Sequence, residues 1–108
     1  MKHSFFLRKP KSDKKTLILF TCYFKKELKK FVYSTGENIV PLHWSKENKA
    51  PKMKGSVKDK DSTSINMQIN RYSEAFEDLV NRCKITGIQL TSDLLKSHFD
   101  DTFKKSSS

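Results

Sequence analysis

Between Thr16 and Gly36 the sequence TLILFTCYFKKELKKFVYSTG runs from an apolar stretch through a lysine-studded turn into a second apolar stretch. Its residues alternate. Ile18, Phe20, Cys22 and Phe24 fall on one side of an extended chain, and Leu17, Leu19, Thr21 and Tyr23 on the other. Period two with β-branched and aromatic side chains predicts a strand with one face buried. A strand over about 16–25 and another over about 29–35 then form a β-hairpin, with Phe31 and Tyr33 joining the apolar side and Lys30, Val32 and Ser34 facing away. Lys26-Glu27-Leu28 lacks the Asn-Gly of a tight two-residue turn, so a longer or bulged connection is expected. Gly36, free to adopt unusual backbone angles, is expected to end the strand at Thr35-Gly36.

A lone hairpin cannot bury its apolar face, so the rest of the chain has to supply partners. Ser4 to Lys9 (SFFLRK) predicts a short first strand over about 4–9, with Phe5 and Leu7 inward and Phe6 and Arg8 outward. The connector Lys9 to Lys15, with Pro10 and Asp13, suits a loop. After Gly36, Glu37 to Trp44 reads as a loop that folds Ile39, Val40, Leu42 and Trp44 over a sheet edge. Residues 45–61 form a basic, aromatic-free loop. Behind the N-cap candidates Asp61 to Ser64, the residues Ile65, Ile69, Tyr72, Phe76, Leu79, Val80 and Cys83 recur at helical spacing until Gly87. They predict a helix over about 63–86, which lids the sheet. Thr91 or Ser92 caps a shorter helix from Ser92 to Phe99, with Leu94, Leu95 and Phe99 on its apolar side. The expected class is α+β: a three-stranded antiparallel sheet packed against one long helix, plus a short terminal helix. The expected domain covers 1–87, and 88–108 reads as a linker with that short helix.

Charge and chemistry narrow the function. The 108 residues carry a net charge of +10. Residues 1–60 hold sixteen Lys and Arg against five acids, and 61–108 hold six against seven. The whole excess sits on the β-rich part, which is the footprint of a polyanion partner. No basic amphipathic helix points to a membrane surface, and the longest apolar run, Leu17 to Phe24, falls short of the ~20 residues of a bilayer span. No secretory h-region is seen, and Cys22 and Cys83 read as buried reduced thiols, so a cytoplasmic location is expected. His3, His43, His98 and the two cysteines lack metal-site spacing, so no metal or other cofactor is expected. There is no nucleophile elbow, Gly36, Gly55 and Gly87 are too dispersed to cradle phosphate, and Glu74, Glu77 and Asp78 lie on the helix's exposed side. Catalysis within this chain is not expected.

A small β-sheet can enter the DNA major groove. Here Lys25, Lys26, Lys29 and Lys30 at the hairpin tip, with Lys9, Lys14 and Lys15 from the other loop, would meet phosphates, and Arg8 on the outward side of the first strand joins the DNA-binding set. Thr21, Tyr23, Lys30 and Ser34 would lie nearest base edges. Tyr23 reads equally well as a cross-strand aromatic contact. The alternative function is a protein-interaction module that uses the outer sheet face or an exposed edge.

The order of these parts resembles the N-terminal arm-type DNA-binding domain of tyrosine recombinases, the integrases of phages and transposons. The resemblance rests on the basic first strand, the hydrophobic second strand, the strand closing on Ser34-Thr35-Gly36, the following Pro41-x-x-Trp44, the basic loop and the long helix. It covers roughly residues 5–100. It implies a sheet inserted into the major groove of arm-type sites on double-stranded DNA. It also implies that Thr91 to Leu95 leads toward a core-binding domain, with the core-binding and catalytic domains of the same recombinase as partners. The recombinase's catalytic Arg, His-x-x-Arg and Tyr set has no counterpart in this sequence. In two respects the chain departs from the family pattern: its turn lacks glycine, and Leu19 stands on the outer face where a basic residue would be expected.

Overall fold

A computed structural model describes residues 2–52 and 61–104. Strands β1 (His3–Leu7), β2 (Thr16–Phe24) and β3 (Lys29–Ile39) form an antiparallel sheet in the order β1-β2-β3. Helix α1 (Ser62–Thr86) covers one face, joined by α2 (Ser92–Phe99) and a π-helical turn, Asp100–Lys104. The expected α+β class is the observed one.

The alternation in β2 sets the layering. Thr16, Ile18, Phe20, Cys22 and Phe24 are buried, while the residues between them are half-buried or exposed. The register continues this on both sides, with Phe5, Phe20 and Tyr33 side by side across the three strands. Phe20 is the hub of the core. Its ring lies 5.7 Å from Phe5, 5.4 Å from Phe76 and 5.0 Å from Phe99, edge-on or tilted as aromatic quadrupoles prefer. From α1 come Ile65, Ile69, Tyr72, Phe76, Leu79 and Cys83, the stripe legible in the sequence, with Ala75 beside it. Gly87 ends α1 in the left-handed conformation (φ 72°), and the Ile88 N–H donates to the Cys83 carbonyl at 3.0 Å, a Schellman closure.

Three features depart from expectation. β3 does not end at Thr35-Gly36 but runs on to Ile39. Leu19 pairs with Ser34 and Leu17 with Asn38, so Thr35, Gly36 and Glu37 together stand opposite Ile18. Gly36, at φ 77°, spends its freedom on this bulge inside the strand. The Thr35 hydroxyl pins it by donating to the Ile18 carbonyl (2.8 Å), and the Tyr72 hydroxyl donates to the Thr35 carbonyl (3.2 Å).

Second, the segment read as a basic loop over 45–61 begins with structure. Behind a single 3-10 turn (Pro41–His43), β4 (Trp44–Ser45) pairs with β5 (Ala50–Pro51). Residues 53–60 of that loop, and 105–108 at the expected fraying end, lie outside the described residues. Trp44 and Ile39 are buried as expected, but Leu42 is exposed, because the 3-10 turn directs it away from the sheet edge.

Third, Leu95 and Phe99 are fully buried in the same core as Phe20 and Phe76. The packed unit therefore extends past Gly87, and the sheet's lid is two helices rather than one. The Thr91 hydroxyl caps α2 by accepting from the Leu94 N–H at 3.1 Å.

The β2–β3 turn closes through Glu27 N–H to Phe24 carbonyl and Leu28 N–H to Lys25 carbonyl, both 3.2 Å. It places Leu28 at φ 51°, a position that favours glycine, with 81% of its surface exposed. The left-handed conformation costs a side chain such as leucine about 1–2 kcal/mol. Leu28→Gly should therefore raise the unfolding free energy by about 0.5–1 kcal/mol, after glycine's greater unfolded-state entropy is subtracted. Urea denaturation would read this as a higher midpoint at unchanged slope.

Candidate nucleic-acid interface

The sheet face turned away from the helices is where the sequence placed its candidate contacts. Alternation along each strand and the observed register arrange it in rows. Tyr23 neighbours Lys30, Ser4 and Val32 flank Thr21, and Phe6 and Ser34 flank Leu19. Thr21 and Ser34 are half-buried, Tyr23 is 49% exposed and Lys30 is exposed. The centre of the face thus carries hydroxyls and apolar groups, with charge toward its borders.

Arg8, Lys9, Lys14 and Lys15 are exposed at the end where β2 begins, and Lys25, Lys26 and Lys29 at the end where it finishes. Lys15 and Lys25 bracket the nine-residue β2, so the two clusters stand about 30 Å apart by strand rise. The first loop is held in shape by hydrogen bonds from its main-chain N–H groups. Arg8 N–H donates to the Leu17 carbonyl, Lys9 N–H to the Thr16 hydroxyl and Ser12 N–H to the Lys9 carbonyl, at 2.9–3.0 Å. Arg8 and Lys9 lie just beyond β1, which stops at Leu7 rather than Lys9.

Two features of the site were not legible in the sequence. Lys30, on β3, crosses the middle strand so that its Nζ stands 5.1 Å from the centre of the Phe6 ring on β1. A cation–π contact on an exposed face is worth about 0.5–1 kcal/mol and limits the directions in which this ammonium points. The second is Glu27. Both of its carboxylate oxygens turn away from the outer face to α2. Oε2 accepts from the Ser92 N–H (2.9 Å) and Oε1 from the Ser92 hydroxyl (2.8 Å). These bonds, the main-chain one first, hold the Glu27 carboxyl below its ordinary pKa. The tip's one acid is thus bonded at the start of a helix, where a negative charge is favoured, and the lysines around it face solvent.

The chemistry elsewhere is quiet. Burial pushes the Cys22 thiol up to about 12, which keeps it protonated and unreactive near neutral pH. Among the described residues no three His, Cys, Asp or Glu gather as metal ligands, and no helix is long and apolar enough to cross a membrane.

His3 is structural. Its ring stacks 5.4 Å from Phe20 and lies 5.1 Å from Phe76, and Nε2 is 2.7 Å from the Ser73 hydroxyl. Burial lowers its pKa below the ordinary 6.5, partly opposed by Glu77. The unfolded chain therefore takes up a proton before the folded chain does. The stability contributed by neutral His3 is complete above the unfolded pKa and falls as pH drops toward the lowered folded value. Urea midpoints taken from about pH 7.5 down to about pH 5 should fall more steeply for the native chain than for His3→Gln.

This geometry stands without a relative to compare it with: no protein-family model, no curated protein and no solved structure matches the chain.

Proposed function

We propose that this chain binds double-stranded DNA through the outer face of its sheet, as the non-catalytic arm-type domain of a tyrosine recombinase acting in the cytoplasm. The single observation that carries this reading is a sheet face that, among the described residues, no helix covers, bordered by exposed lysines at both ends of one strand. A sheet of this width fits the major groove. Lysines about 30 Å apart would then meet phosphates along the groove, giving affinity and register without sequence information.

Base reading on this face would fall to Thr21, Tyr23, Ser34 and Lys30. Three of these are hydroxyls, which discriminate weakly, and Phe6, Leu19 and Val32 offer surface for thymine methyl groups. The reading therefore predicts a preference for certain repeats over a substantial non-specific background. The resemblance in the order of strands, the Ser34-Thr35-Gly36 and Pro41-x-x-Trp44 segments and the long helix connects this face to arm-type sites, with the recombinase's core-binding and catalytic domains as partners.

Fluorescence anisotropy with a labelled duplex carrying arm-type repeats, set against a scrambled duplex over a salt series, tests the proposal. Micromolar or tighter binding that weakens steeply with salt is expected. No duplex binding at low salt would reject it. Amide shifts on adding duplex should concentrate on Thr21, Tyr23 and Lys30.

A further inference from the structure

A second surface lies around the corner from the outer face. Between the β2–β3 turn and the link from α1 to α2 runs a groove of about 700 Å3. Phe24, Tyr23 and Leu90 line it with apolar surface, and Lys2, Lys25 and Lys26 stand around it. It adjoins a hollow over the last turn of α1, where Lys26 and Leu90 meet Cys83, Lys84 and Ile88. Ile88 is 57% exposed and Ile85, one turn back, 85% exposed. Among the described residues Glu27 is the one acid lining the two hollows, and its oxygens are already bonded by Ser92.

We propose that this groove docks an acidic peptide segment carrying large apolar side chains. The volume suits two or three side chains. The apolar lining calls for an apolar anchor, and the four lysines, set against the single charge of Glu27 whose oxygens Ser92 engages, leave a positive excess that calls for negative charge beside it. Duplex DNA does not meet both requirements, because its phosphate backbone brings no apolar group into a hollow. The site is separate from the DNA reading: Lys84, Ile88 and Leu90 belong to the helical layer and lie off the outer sheet face, and only Tyr23, Lys25 and Lys26 are common to both surfaces.

The probe is a fluorescein-labelled peptide in which aspartates alternate with leucine and phenylalanine, read by anisotropy against the full chain. A control peptide keeps the aspartates and replaces every apolar residue with serine. The control should bind at least about tenfold more weakly, the return from burying one apolar side chain. Ile88→Asp and Lys84→Glu, both at exposed positions, should each weaken the apolar peptide by a similar factor while leaving the circular dichroism spectrum and duplex affinity as they were. Equal binding of the two peptides, or unchanged binding by both variants, overturns the proposal. So does a single-stranded oligonucleotide of equal charge that binds more tightly than the apolar peptide and is lost with the same variants. Failure of duplex binding alone would reject the DNA reading and leave this one standing.

Discussion

Phe99→Ala should destabilise the protein by about 3–5 kcal/mol, the cost of removing a large aromatic ring from a packed core. Phe99 has no exposed surface, and its ring lies 5.0 Å from Phe20, 5.1 Å from Tyr33 and 5.4 Å from Tyr72. It therefore touches the middle strand, β3 and α1 at once. Domains of this size hold about 5–15 kcal/mol in total, so the loss is a large share of it and the denaturation midpoint should fall well below that of the native chain. Chemical denaturation followed by circular dichroism measures it. A truncation after Gly87 should do at least as much damage, since it removes Leu95 and Phe99 together. A truncated chain with an undiminished midpoint would show that α2 is an appendage and not part of the folded unit.

Changing Lys25, Lys26, Lys29 and Lys30 to Ala together should abolish most duplex affinity without loss of fold. Each phosphate contact adds about 0.9 to the slope of log affinity against log salt, so losing three, or four if Lys30 also meets phosphate, should flatten that slope by about 3–4 and cost about a hundredfold to a thousandfold at physiological salt. All four residues are exposed, and the contact sacrificed in the fold is Lys30 over Phe6, so the unfolding free energy should change by no more than about 1 kcal/mol. Arg82→Ala, on the helical layer, should leave the slope as it was. A quadruple variant with the native slope would show that the hairpin tip does not meet phosphate.

Most of the architecture follows from two periodicities. Alternation in Thr16 to Phe24 and the helical stripe from Ile65 to Cys83 each bury one face, and both are visible because they persist over many residues. The inward and outward sets on β2 and β3 follow directly, which is why Thr21, Tyr23, Lys30 and Ser34 share the outer face as expected. The rest depends on contacts between distant parts of the chain. Gly36 after Ser-Thr looks like a strand end; it is a bulge instead, held by the Thr35 hydroxyl on the Ile18 carbonyl and the Tyr72 hydroxyl on the Thr35 carbonyl. Two-residue strands such as β4 and β5 have no period to detect. Leu95 and Phe99 are too few to mark α2 as core, and a glutamate in a lysine-rich turn reads as solvated until Ser92, 65 positions later, is found beside it.

That last pairing has a mechanical consequence. A β-turn is ordinarily the most compliant part of a hairpin, and a short helix after a link ordinarily swings. Here two hydrogen bonds from Glu27 to Ser92 tie the turn to the first residue of α2, so neither end moves without stretching them. Glu27→Gln, which keeps the shape of the side chain but weakens its bonds to Ser92, should free the turn and the start of α2 together, seen as faster amide exchange at both.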